Sequence, residues 1–447
     1  MELLIPAHRL PVLAEADVVV CGGGPAGVAA ACSAARHGCQ VVLLERWPSV
    51  GGMATNALVN IWHTSDRTRQ VIFGLVQEAI ERGGEWVHRL KEFPKTPETH
   101  DFDPEGMRLV FQRMLDDYGV RTLCNLTAVE AVVDDGRMRG VLVDTKTGRK
   151  AVLGRIFIDA TGDGDVAANA GLPFDFGRPA DGLVQGMTMM YRLCGIDMQR
   201  MNESRVAAAD RVFEMMCMLR DRDEFPPFNE QGTRGLLRGW LANRRIPNMC
   251  PVAGNPLDEE ELTRLTHRAR EQVFAYLDLW RREMPGMDDA QVEQTGHALG
   301  VRESRRIRGI KTLEGRMVVG AVKQPDAVGH GFWLIDVHDP RGTGHTTWSD
   351  QDPSTMPPVG ESYHIALGMC LNGSIPNLAV VGRCASSTHE GQASVRLQSH
   401  CMVMGQGVGT AGAMALDANV DMFQVNTSAL QTMLRSDGAH IEDVPPE

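Results

Sequence analysis

Short apolar runs alternate along the chain with glycine-rich turns and with stretches of helical period, and this pattern predicts most of the elements. Asp17 to Cys21 has the make-up of a buried parallel strand. Val28 to Ala35 suits a helix of small residues lying close to a sheet, and Val41 to Leu44 a second buried strand. A helix is predicted over 70–82, with Ile72, Leu75, Val76 and Ala79 on one face and Gly83-Gly84 as its stop. Asp103-Pro104 starts another through Tyr118, since aspartate caps well, proline suits the first turn and Gly119 is placed to end it. Val120 to Leu126 reads as the next parallel strand. Runs near 128–133, 139–143 and 150–153, broken by Asp134-Asp135-Gly136 and Lys146-Thr147-Gly148, predict an antiparallel meander inserted into the sheet, and 156–159 returns to it.

From about Gly171 to Gly360 the pattern changes to long helical periods, over 198–222 and 258–284. The second has Asp258 as its cap, acids at 259–261 near the positive helix end, and an apolar face of Leu262, Leu265, Ala269, Val273, Tyr276 and Trp280. Strand-like runs follow near 317–322 and 332–337. Asn377 to Val381 is a further buried strand, ending in Gly382-Arg383. A polar loop over 384–398 then leads to Met404-Gly405-Gln406-Gly407-Val408-Gly409-Thr410, which reads as the opening of a small-residue helix through Leu416.

Composition adds limits. At 447 residues, 43% hydrophobic and 23% charged, the chain is an ordinary globular protein with room for more than one core. A net charge of −12 disfavours sequence-independent nucleic-acid binding, so no nucleic-acid partner is expected. Residues 1–13 lack the pattern of a signal peptide and no run reaches the length of a membrane span, so the expected location is cytoplasmic with no membrane partner. Ten cysteines without CxxC or metal-finger spacing read as reduced, mostly buried thiols. Asp159, Asp163 and Asp165 lack the later glutamate of a calcium loop, and no metal is expected there.

The chemistry is concentrated where the first strand meets the first helix, at Gly22-x-Gly24-x-x-Gly27. The first glycine permits a tight turn, the second lets a pyrophosphate approach the backbone, and the third lets helix and strand pack closely. Glu45, at the end of the second strand, stands where a carboxylate accepts hydrogen bonds from a ribose diol. The pair Gly51-Gly52 continues that path.

Together CGGGPAGVAAA (21–31), VVLLERWPSVGGMAT (41–55), IDATGDGDVAANAG (158–171), VRESRRIRG (301–309), NLAVVGRCASSTHEGQASVR (377–396) and GQGVGTAGAMAL (405–416) resemble the flavin-dependent oxidoreductases with a glutathione-reductase type of FAD domain. Among these the chain is most similar to the broad family called FAD-dependent oxidoreductase. The resemblance implies an α/β fold: a Rossmann-like FAD-binding domain with a parallel sheet and inserted meander, from 1–170 and 366–447, and a mixed α+β substrate or cap lobe from 171–365. It implies that Gly22, Gly24, Pro25, Ala26 and Gly27 hold the pyrophosphate, Glu45 the adenosine ribose and Arg46 the adenine side. Gly52, Met53 and Thr55 would run toward the flavin, the main chain at Ala128 would meet adenine, and Ala160, Thr161 and Gly162 would lie beside the nucleotide. Gly382 and the amides of Gly405, Gly407, Val408 and Gly409 would approach the ribityl chain and the pyrimidine edge. Many relatives have an aspartate where this chain has Arg383, and the role of that arginine stays open.

FAD, bound without a covalent link, is the implied cofactor. The expected reaction is dehydrogenation of a small organic substrate, with oxygen or another acceptor reoxidising the flavin. Hydroxylation is the enzymatic alternative, and a tRNA-modifying or non-catalytic flavoprotein the alternative of another class. No CxxxxC follows the first strand–helix–strand unit, which argues against a disulfide reductase, and no second GxGxxG marks an NAD(P)H domain.

The candidate catalytic residues are His389 and Arg396, between the last flavin strand and its helix, and Asp336 with His338, which share a face if their segment is a strand. His345 offers that pair a third metal ligand, a reading set aside. His63 raises covalent flavin attachment, which its neighbours do not match. Arg302, Arg305 and Arg306 form either a solvated or salt-bridged face or a hold for an anionic group.

Overall fold

In the computed structural model, residues 9–90, 98–203, 205–230, 233, 246–343 and 353–442 are described. Val12–Cys21 is the hub of a seven-stranded sheet. On one side it pairs in parallel with Val41–Glu45, and that strand with Arg121–Cys124. On the other it pairs with Gly148–Asp159, a strand of 12 residues that does two jobs. Its first half is antiparallel to Arg137–Thr145, which leads on to Thr127–Asp134. Its last three residues lie parallel to Leu378–Val380. The third meander run and the returning parallel run are therefore one strand, which continues through Gly154 and Arg155.

The helix Pro25–Arg36 lies on this sheet with ten buried residues in succession, from Pro25 to Ala34. Small side chains allow that depth. Against it packs the last long helix, Gln398–Ala418, so the two ends of the chain share one core. Asp103 caps the helix Pro104–Asp117 by accepting from the Glu105 and Gly106 amides, as its position predicts.

A second core is built from a three-stranded sheet, Asn248–Val252, Met187–Cys194 and Gln291–Thr295. The helices Arg205–Asp221 and Glu259–Glu283 add Val212, Met216, Val273, Tyr276 and Trp280 to it. This core draws on residues 187–301. The later part of the expected middle lobe joins the first core instead, through Val318, Val328, Phe332, Tyr363 and Ile365.

Three local readings differ. The run 317–322 is not a strand: Met317 to Val319 belong to the short helix Gly315–Val319, and a turn follows. The strand of the next region is Ala327–Gly331, paired with Tyr363–Ala366, and 332–337 is irregular. The expected polar loop 384–398 contains a helix, His389–Val395, capped by Thr388. His345 lies outside the described residues. Among the described residues no helix is long and apolar enough to cross a membrane.

Candidate functional site

A cavity of about 460 Å³ runs from the turn after the first strand to the seam between the two cores. Its near end is lined by Gly22, Gly24, Pro25, Ala26, Glu45, Arg46, Gly52, Met53, Ala128, Ala160, Thr161, Gly162, Gly382 and Arg383. Gly22 has φ +107°, and a side chain there would strike the Ala160 carbonyl. At Gly24 a Cβ would meet nothing nearer than Gly52 Cα at 4.0 Å, which leaves open space beside the first turn of Pro25–Arg36. Such a cradle, bare of side chains and facing a helix N-terminus, fits a pyrophosphate.

Glu45 is buried, and its carboxylate accepts from the Gly23 amide at 2.6 Å and the Trp47 amide at 2.9 Å. Burial raises its pKa against the pull of those two amides. Asp159 orders the second glycine-rich turn by accepting from the amides of Thr161 and Ala167 and from the Thr161 hydroxyl. Asp163 is paired with Arg383 at 2.9 Å and bonded by Ser304, and Asp165 is paired with Arg305 at 2.9 Å. The three acids read as an unlikely calcium loop are thus engaged by the protein itself. Arg383 is set by Asp163 and Ser304 beside the nucleotide turn.

Six of the residues assigned to the cofactor are off the cavity. Gly27 serves helix-to-strand packing, since a side chain there would overlap the Gly22 carbonyl. Thr55 is buried and donates to the Val50 carbonyl at 3.0 Å. Gly405, Gly407, Val408 and Gly409 lie within the helix, which begins at Gln398, seven positions before Gly405. Side chains at Gly405 and Gly409 would overlap the carbonyls of Ala26 and Ala30, and one at Gly407 would overlap Val328. Gly405 and Gly409 are contact points with the helix Pro25–Arg36, and Gly407 with the strand Ala327–Gly331. The helix N-terminus does reach the cavity, but with Leu397, Gln398 and Cys401. Gln398 is held there by the Trp62 indole, which donates to it at 3.0 Å, and by its own bond to the Val59 carbonyl at 2.6 Å.

The far end is lined by Thr188, Met190, Asn248, Gly300 to Arg302, Trp333, Asp336, His338 and Arg396. His63 also lines the wall, its ring stacked on Trp333 at 4.1 Å and near the Thr99 hydroxyl at 3.1 Å. Burial pushes its pKa down to about 3. Asp336 and His338 meet without a strand: His338 Nε2 lies 3.3 Å from Asp336 Oδ2. Arg396 donates to the Asp336 carbonyl at 2.9 Å and approaches its carboxylate at 3.4 Å. Arg302 donates to the Gly186 carbonyl at 2.6 Å and to Asn248 Oδ1 at 3.0 Å. Burial, with Arg302 adding to it, pushes His338 down to about 4, so its ring is neutral near pH 7. Burial alone would raise Asp336, but His338 and the two guanidiniums hold it below the usual carboxylate range.

His389, expected at the reacting centre, does not line the cavity. Its Nδ1 lies 2.8 Å from Glu303, which is fully buried and also binds Arg306 and the Gln185 amide. This network anchors the backbone next to Arg302: Gln392 donates to the Arg302 carbonyl at 2.6 Å and receives a bond from Gln185. The arginine cluster therefore divides. Arg302 faces the cavity, Arg305 pairs with Asp165, and Arg306 is buried against Glu303. Elsewhere, His330, His364 and Glu442 bring ligand-type atoms within 4.8 Å of one another. His364 Nδ1 lies 3.1 Å from the Gln324 amide and 3.3 Å from its carbonyl, and Glu442 is paired with Arg69 and Lys323.

Sequence reasoning missed Thr188, Asn248, Trp333 and Gln398. Only Gln398 carried a signal, as the last polar residue of the expected loop 384–398.

Several known proteins are similar to this chain. Digeranylgeranylglycerophospholipid reductase 2 of Methanopyrus kandleri is 31% identical over 170 residues, 35% of this chain and 40% of that protein. The tRNA uridine 5-carboxymethylaminomethyl modification enzyme MnmG of Geotalea uraniireducens is 29% identical over 328 residues, 63% of this chain and 49% of that protein. The chain thus spans about half or less of these curated relatives. A geranylgeranyl bacteriochlorophyll reductase-like protein from Thermoplasma acidophilum aligns with 96% of this chain and 85% of its own, at 13% identity and a TM-score of 0.45. The model of the family described as FAD dependent oxidoreductase matches residues 17–434. With a glycine cradle, a buried carboxylate and a helix N-terminus on one cavity, this chain belongs to the FAD-dependent oxidoreductase family, and FAD is its cofactor.

Proposed function

We propose that the chain dehydrogenates a small organic substrate at the seam between its two cores, on non-covalently held FAD. The observation that carries this reading is the buried pair Asp336–His338 at the far end of the same cavity as the glycine cradle. The bound flavin supplies the two-electron acceptor for a hydride. What remains for the protein is to orient the substrate and take one proton. With Asp336 beside Nε2, the His338 proton is favoured on Nε2, which leaves Nδ1 as the acceptor. A neutral ring with its pKa pushed down to about 4 can accept a proton at pH 7, and Asp336 stabilises the charge that results. Arg396 fixes the Asp336 main chain and carboxylate.

The test is anaerobic bleaching of bound flavin by a library of small alcohols, amines and acids. His338→Ala and Asp336→Asn should bind FAD as the parent does and slow flavin reduction by about a hundredfold or more. Full reduction rates in both would remove the pair from the chemistry. Under air, peroxide formed together with an oxidised product supports dehydrogenation, and labelled oxygen found in the product supports hydroxylation instead.

A further inference from the structure

The far end of the cavity holds an unbalanced charge. Two guanidiniums, Arg302 and Arg396, stand there with one carboxylate, Asp336, and one neutral imidazole, His338. Other nearby charges are already spent. Glu303, behind Arg302, is shared by Arg306, His389 and the Gln185 amide, and Arg383 is paired with Asp163. Among the other charged residues of the wall, Asp165 is paired with Arg305, Glu45 is held by two amides, Arg46 lies near Asp163 and Asp165 at the nucleotide end, and Asp101 belongs to the separate strand Thr99–Phe102 beside Ile61.

The two arginines are held differently, and both retain donors. Arg302 is 8% exposed and uses one nitrogen on the Gly186 carbonyl and one on Asn248, so part of its five-donor fork is unspent. Arg396 gives one nitrogen to Asp336, and its buried Nε has no partner among the described residues. Trp333 Nε1 and Thr188 Oγ1, on the same wall, are also buried without a partner among the described residues. Keeping a second guanidinium in such a place is unfavourable unless an anion joins it. The strain shows in Arg302, whose pKa burial and the neighbouring Arg396 push down to about 9.

We infer that this end is a carboxylate subsite: the substrate is a small organic acid whose carboxylate is received by Arg302 and Arg396. A guanidinium fork matches a carboxylate in plane and spacing, which makes arginine the suitable residue for this task. Binding would bring the local charge from one positive to zero. It would also hold the substrate at the end of the cavity that His338 lines. With FAD held in the cradle as the two-electron acceptor for a hydride, His338 would take the proton released from the substrate's hydroxyl, amine or neighbouring carbon. The inference rests on the dehydrogenase reading for that last step, but not for the binding.

Titrating the FAD-loaded protein with glycolate, lactate, malate and succinate, and with the corresponding methyl esters, tests it. The readouts are the flavin difference spectrum and the thermal midpoint. Saturable shifts are expected with at least one free acid and not with its ester. Arg302→Gln and Arg396→Gln should each weaken that binding at least tenfold while FAD stays bound, and Arg302→Lys should keep part of the affinity. Esters that bind as tightly as acids, or Gln variants with unchanged affinity, would overturn the subsite. Acids that bind but never bleach the flavin would leave the subsite standing and sink the dehydrogenase reading. A neutral compound that bleaches it equally well in Arg302→Gln would do the reverse.

Discussion

Glu303 shows how much one buried residue can organise. It is fully buried, and its carboxylate ties Arg306, His389 and the Gln185 amide into one network directly behind Arg302. Removing its charge leaves the Arg306 guanidinium buried without its counter-ion, a change that typically costs about 3 kcal/mol. Glu303→Gln should therefore lower the denaturant midpoint by a matching amount, whereas Glu130→Gln on an exposed strand should not. Equal midpoints would show that the network is not structural. At this scale legibility depends on distance along the chain. Gly22, Gly24 and Glu45 fall within one strand–helix–strand unit whose spacing states its purpose, so their place on the cavity could be read directly. His389 could not be told from a reacting group, because its partner Glu303 lies 86 positions away. Arg302 was readable only as part of a cluster, since Gly186 and Asn248 are what turn it to the cavity.

Helices carry a second lesson, in how small residues are used. Gln398–Ala418 crosses Pro25–Arg36 so closely that Gly405 and Gly409 face the carbonyls of Ala26 and Ala30. Ser33 and Thr410 add a hydrogen bond of 2.7 Å across the crossing. Gly405→Ala and Gly409→Ala should each lose several kcal/mol of stability, since neither backbone can retreat. Gly412 is the control: a methyl there would meet Ile156 at 3.6 Å, an ordinary contact, and alanine should gain up to about 1 kcal/mol in helix propensity. Thermal midpoints that fall equally for 405 and 412 would refute this account of the crossing. The same chemistry explains why the helix start was misplaced. A glycine run looks like a backbone laid open to a ligand, but here it is laid open to another helix. The ligand-facing turn, Leu397 and Gln398, has no glycine to mark it.

Across the molecule, burial of neutral histidines sets the response to acid. His63, His330 and His400 are pushed down to about 3, and His338 and His364 to about 4, in each case chiefly by burial. Their folded values lie below the usual value of about 6.5, so between pH 6.5 and 4 the unfolded chain binds protons that the folded chain refuses. Stability must then fall as pH falls through that window, by about 1.4 kcal/mol per pH unit for each unmatched proton. Asp159, raised to about 6 by burial, works the other way with a single proton. Thermal midpoints measured from pH 7.5 to 5 should drop continuously, and a flat profile would mean that these rings are solvated. None of this was visible in a composition of 14 histidines and a net charge of −12, because it depends on which rings the two cores enclose.

The crossing of the first and last long helices also sets an order of events during synthesis. Residues 22–52 leave the ribosome early, but the cavity they begin is closed by 382–401, more than three hundred residues later. Until then the alanine face of Pro25–Arg36 has no cover, and the nucleotide cradle has one wall. Cofactor capture is therefore a late step, coupled to closure of a long loop, and a nascent chain stopped before Gln398 should be a client for chaperones and not a flavoprotein.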